Sequence, residues 1–161
     1  MREAVILVVV IVLAVAVGVA LRVRSGKVRP SGGGQTDGPP PATDDPGGAG
    51  RPDDDLALLR AAGMRDDGPA VVHFSASWCG PCTAVRRVVA GTVERLAEED
   101  PAGAPVQDLE LDLDEYAVLA RRLHVMSLPT TFLYGSDGTR HGRISGVPDA
   151  SALADALRSL R

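Results

Sequence analysis

The chain has 161 residues, room for one ordinary domain plus accessories and too few for two full domains. Its 21 acidic and 17 basic residues give a net charge of −4, and residues 53–161 alone hold 17 acidic against 11 basic. That balance excludes the basic footprint of a nucleic-acid-binding domain and implies a solvated surface.

Residues 4–21, AVILVVVIVLAVAVGVAL, carry no charge over 18 positions, roughly 27 Å as a helix. With Val23 and the stem of Arg22 finishing the span, a single transmembrane helix is predicted over 4–23. Gly18-Val19-Ala20 offers the small residues of a signal-peptide cleavage site, but the apolar region is long, its head is weak and arginines follow at once. No cysteine follows the segment to take a lipid. Arg22, Arg24, Lys27 and Arg29 after it outweigh Arg2 and the terminal amine before it, which favours a cytoplasmic domain on a single-pass cell-membrane anchor. The opposite, extracytoplasmic orientation stays open.

Residues 24–52 are mostly Gly, Pro and small polar side chains, expected as a disordered linker whose free reach is on the order of 25–30 Å. Residues 53–161 are expected to form the folded domain. Asp53, Asp54 and Asp55 suit the start of a short helix that ends at Gly63. AVVHFSA, from Ala70 to Ala76, reads as a strand. From Pro81 to about Glu99, Val85, Val88 or Val89, Val93 and Leu96 recur at helical spacing, and Pro81 fits a first helical turn. Val106–Asp114 alternates at Leu109, Leu111 and Leu113 and reads as a strand, with a helix near Glu115–Leu123. Two strands, Thr130–Tyr134 and about Arg140–Ser145, flank the turn Gly135-Ser136-Asp137-Gly138. A last helix carries Leu153, Leu157 and Leu160, with Asp149 as N-cap. The order αβαβαββα predicts an α/β domain, a mixed sheet with helices on both faces.

The chain's two cysteines, Cys79 and Cys82, lie in VVHFSASWCGPC, between the first strand and the long helix. At a helix mouth, unpaired N–H groups and the positive end of the dipole favour a thiolate at Cys79. Cys82, one turn on, is placed to attack a mixed disulfide formed there. A zinc site would have to recruit His73, His124 and His141, none of which has the paired spacing of a finger, and no metal is expected. As a structural staple the pair closes so short a loop that it gains little.

WCGPC at Trp78–Cys82, behind the strand VVHF and followed some fifty residues later by SLPT, resembles the thioredoxin family over 53–161. The resemblance implies a thioredoxin fold with a four- or possibly five-stranded sheet. It implies a protein-disulfide reductase with Cys79 as nucleophile and Cys82 as resolving thiol. Gly80 and Pro81 would hold the couple's geometry and keep it reducing. Trp78 would form part of the substrate surface, Pro129 would be the family's cis-proline facing the cysteines, and the backbone of Met126, Ser127 and Leu128 would pair with substrate. Gly146 would flank the groove. No cofactor is implied beyond the redox-active disulfide. The partners implied are disulfide-containing proteins and an electron-donating reductase or membrane relay, with the protein itself a monomer.

The chain departs from the family at two positions. His73 stands where relatives keep a buried acid, and Glu110 stands where they often keep a lysine. A reversed pair is expected, His73 with Glu110 behind Cys82, in which the imidazole exchanges the Cys82 proton. The alternative is a half-buried histidine that only bonds a neighbour. His124 and His141 are assigned no role. Competing functions are a disulfide oxidase or isomerase, and a tethered adaptor that uses the groove with little redox turnover.

Overall fold

The computed structural model describes residues 12, 13, 15, 29–30 and 52–161. The predicted span 4–23 therefore lies outside the described residues except for Val12, Leu13 and Val15, and the linker 24–52 except for Arg29, Pro30 and Pro52. Among the described residues no helix is long and apolar enough to cross a membrane.

The elements run β1 (Arg29–Pro30), α1 (Pro52–Ala61), β2 (Ala70–Ser75), α2 (Cys82–Glu99), β3 (Gln107–Asp112), α3 (Ala117–Arg122), β4 (Thr130–Tyr134), β5 (Arg140–Ser145) and α4 (Ala150–Arg158). The sheet order is β1-β5-β4-β2-β3, with β2 and β3 parallel and the other pairings antiparallel. Four strands form the mixed sheet of the expected α/β fold. The fifth is a two-residue addition: Arg29 and Pro30 pair with Arg143 and Gly142 at the β5 edge.

β2 lies between β4 and β3 and is buried at all six positions, as AVVHFS with its β-branched and aromatic residues suits a strand covered on both faces. Side chains alternate between two cores. On one face Val72 and Phe74 meet Phe132, Leu111, Leu59 of α1 and Leu119 of α3, with the rings of Phe74 and Phe132 edge to face at 6.2 Å. On the other, Val71, Leu133 and Ile144 meet Val85, Val89 and Leu96 of α2 and Leu153 and Leu157 of α4. The leucines of β3 take the first face, which leaves Asp108, Glu110 and Asp112 on the α2 side. Asp149 caps α4 as expected, accepting from the N–H of Ser151 at 3.0 Å and of Ala152 at 2.9 Å.

Candidate active site

The cysteines sit where β2 hands over to α2. Cys79 N–H donates to Ala76 O at 3.0 Å and Cys82 N–H to Cys79 O at 3.2 Å, which winds the chain into the first turn of the helix. Pro81 occupies the cap with φ −64°. No side chain caps α2 and no acidic residue lies in its first turn, so its positive end is not neutralised beside the cysteines. Cys79 and Cys82 are joined as a disulfide. Cys79 is 8% exposed and Cys82 1%, so Cys79 is the sulfur within reach of another molecule. A Cβ on Gly80 would meet nothing within 4 Å, so a partner can come close to this turn.

A second loop closes on the pair. The Leu128–Pro129 bond is cis. Leu128, with Leu113 of the loop after β3, packs against Ala76, Cys79 and Cys82. Pro129 is buried, and its carbonyl accepts from Gly146 N–H at 2.9 Å. Gly146 has φ +86°, a left-handed conformation in which a side chain is strained, so the glycine holds this bond's geometry. Thr130 Oγ1 donates to Ser127 O at 2.7 Å and shapes the loop from below. Trp78 is 69% exposed and Met126 86%, large apolar side chains left in solvent on the two loops that meet at the disulfide.

His73 and Glu110, the two residues of the expected reversed pair, are register neighbours on β2 and β3, with each side chain hydrogen-bonded to other groups. His73 Nε2 lies 3.0 Å from Asp108 Oδ1. Glu110 instead takes Arg86 of α2 through Nη2 at 2.6 Å and Nε at 2.7 Å, and accepts from the Ser75 hydroxyl. Each β2 side chain reaches the β3 carboxylate two residues before its register partner: His73 takes Asp108 and Ser75 takes Glu110. The Arg86 hydrogen bonds hold the Glu110 carboxyl below its ordinary value of 4.5, opposed by burial and aided by Ser75 and by the nearness of His73.

Asp108, Arg86, Ser75 and Thr131 were not singled out in the sequence. Arg86 had one signal, a cation one turn past Cys82 on the same helix. For Asp108 the signal was the strict alternation of β3, which fixes its face but not its partner.

Residues 61–159 match the thioredoxin family profile. The chain belongs to the thioredoxin family. A thioredoxin of Mycolicibacterium smegmatis is 36% identical over 89 residues, 55% of this chain and 75% of that protein. A thioredoxin of Staphylococcus aureus is 34% identical over 92 residues, 57% of this chain and 82% of that one. Among solved structures, mitochondrial thioredoxin 3 from Saccharomyces cerevisiae in its oxidised form is 28% identical, covering 65% of this chain and 88% of its own, with a TM-score of 0.48. With the Cys79–Cys82 pair in place, this family membership makes the protein a thiol-disulfide oxidoreductase and a thioredoxin-like disulfide reductase. Thioredoxin-family proteins of this kind act on disulfide substrates and are themselves re-reduced by a reductase.

Proposed function

We propose that this disulfide reductase acts from a membrane, anchored by residues 4–23, and attacks its protein substrates through Cys79. The observation that carries the chemistry is the pairing of a reachable and an unreachable sulfur at one uncapped helix mouth, under the Leu128–Pro129 loop.

In the dithiol state, Cys79 thiolate attacks one sulfur of the substrate disulfide and the other leaves as thiolate. Cys82 then attacks the Cys79 sulfur, the substrate's second sulfur departs with the electron pair, and the Cys79–Cys82 disulfide remains. Two electrons and two protons pass to the substrate, and a reductase or membrane relay must return them. The couple needs no bound cofactor for this, because the electron pair is carried by its own sulfurs. Trp78 and Met126 offer an apolar surface on either side of the disulfide, and the backbone of Met126–Leu128 offers hydrogen bonds to a substrate peptide. Gly80, Pro81, Pro129 and Gly146 hold the two loops in register. His73, buried under α2, serves as proton acceptor for Cys82. We read the protein as a monomer, which the presence of both cysteines and both loops on one chain supports. The positive charges after residue 21 favour the cytoplasmic side for the domain.

The test is thiol-dependent reduction of insulin by the full chain. Cys79→Ser abolishes turnover, and Cys82→Ser instead accumulates a mixed disulfide with substrate. Wild-type turnover retained by Cys79→Ser would refute the assignment of the nucleophile.

A further inference from the structure

His73 is a buried titratable side chain in the middle of the sheet, and its surroundings give it one carboxylate. It lies on the same face of β2 as Val71, which packs on Val85 and Val89 of α2, and as Ser75, whose hydroxyl lies 3.5 Å from Arg86 Nη2 of the same helix. The imidazole between them therefore lies beneath the opening turns of α2, the helix that begins with Cys82. It is 2% exposed, whereas its partner Asp108, on the edge strand β3, is 32% exposed.

The charged and titratable groups on this face are Asp108, Glu110 and Asp112 from β3 and Cys82 and Arg86 from α2; Asp112 is engaged by the N–H groups of Asp114 and Glu115. β4 contributes Thr131, the register partner of His73. Glu110 is committed to Arg86 and Ser75, so Asp108 is the carboxylate left to the imidazole. A carboxylate only accepts hydrogen bonds, so Nε2 must carry hydrogen and the neutral ring keeps its lone pair on Nδ1. Thr131 is fully buried and its Oγ1 has no hydrogen-bond partner. A hydroxyl beside the ring can accept or donate, and so can follow a change in the ring's protonation.

We propose that Asp108 is a positioning residue for disulfide exchange: it fixes the His73 tautomer with Nδ1 as acceptor and balances the imidazolium formed when the ring takes the Cys82 proton. The proposal rests on the reading of His73 as that acceptor. In the step itself, the S–H bond of Cys82 breaks and its proton goes to His73 Nδ1. The Cys82 sulfur bonds to Cys79, the Cys79–substrate bond breaks, and its electron pair leaves on the substrate sulfur. That thiolate is protonated as His73 gives the proton back. The charge formed inside the sheet is an imidazolium hydrogen-bonded to a carboxylate whose other side meets water, which avoids an unpaired buried charge.

The test compares pH profiles of insulin reduction by the full chain and its Asp108→Asn, Asp108→Glu, Glu110→Gln and His73→Gln variants, each checked for cooperative unfolding. His73→Gln keeps a donor for Asp108 but cannot take the proton. Asp108→Asn is expected to slow turnover by about tenfold and displace the acidic limb of the profile, with partial recovery in Asp108→Glu. Glu110→Gln, whose carboxylate lies near His73 but is bonded to Arg86 and Ser75, is expected to displace the limb less than Asp108→Asn does. A wild-type profile in Asp108→Asn beside a lost limb in His73→Gln would overturn the Asp108 role and leave the His73 reading standing. A wild-type profile in His73→Gln would overturn both. An equal displacement in Glu110→Gln would overturn the choice of Asp108 over Glu110.

Discussion

Glu110 illustrates how far a single side chain can be read before folding. The alternation of LELD assigns it to the face opposite Leu109 and Leu111, and the structure keeps it there. Its partner was not legible, because Arg86 lies 24 positions away on another element and the diagonal reach between parallel strands decides which carboxylate each β2 side chain meets. The ion pair also has a pH consequence. Because the folded protein holds Glu110 below 4.5, the unfolded chain binds its proton more readily. The pair's contribution is therefore present above pH 4.5 and is lost as pH falls through the folded value. Urea unfolding should show wild type modestly more stable than Glu110→Gln at neutral pH, with the difference closing under acid. A gap that widens as pH falls would contradict the ion pair. His73 is more deeply buried than the half-buried histidine of the alternative reading, and the same diagonal reach gives it Asp108 as its hydrogen-bond partner.

Elements with a strong local signal emerged close to their expected bounds. β4 and β5 match because a turn with Gly135 and Gly138 separates two runs of strand formers, and Gly138 does take φ +77°. α3 is shorter than expected, starting at Ala117 rather than near Glu115. The reason is that Asp112 Oδ1 accepts from the N–H groups of Asp114 and Glu115 and holds those residues in a turn. The other end of α3 stops at a residue the sequence left unassigned. His124 adopts φ 54°, with its N–H bonded to Arg121 O and that of Val125 to Ala120 O, an ending that glycine fills more readily. His124→Gly should raise stability by about 0.5–1 kcal/mol, the relief of the left-handed strain less the extra freedom glycine gives the unfolded chain. The check is a higher urea midpoint at an unchanged m-value; a fall in the midpoint would mean the imidazole makes a contact worth more than the strain.

For the molecule as a whole, the domain's architecture and its two cysteines were legible because they depend on periodicity and a short motif. The two-residue strand β1 was not, since Arg-Pro amid glycine and basic residues has no strand pattern of its own and acquires one only from the edge it joins. The proposed anchoring and its side are checked by fusing a reporter active in one compartment after Arg161. Cytoplasmic activity is expected, and exclusively external activity would reverse the assignment. The pairing of Arg29–Pro30 with β5 then acquires a spatial meaning. Only residues 24–28 separate β1 from the end of the proposed anchor, and fully extended they span less than about 20 Å. A domain held there by its own edge could not wander the length of a free linker. Its catchment would be a thin layer over the bilayer, and the proteins it serves would be those presenting a disulfide close to the lipid surface.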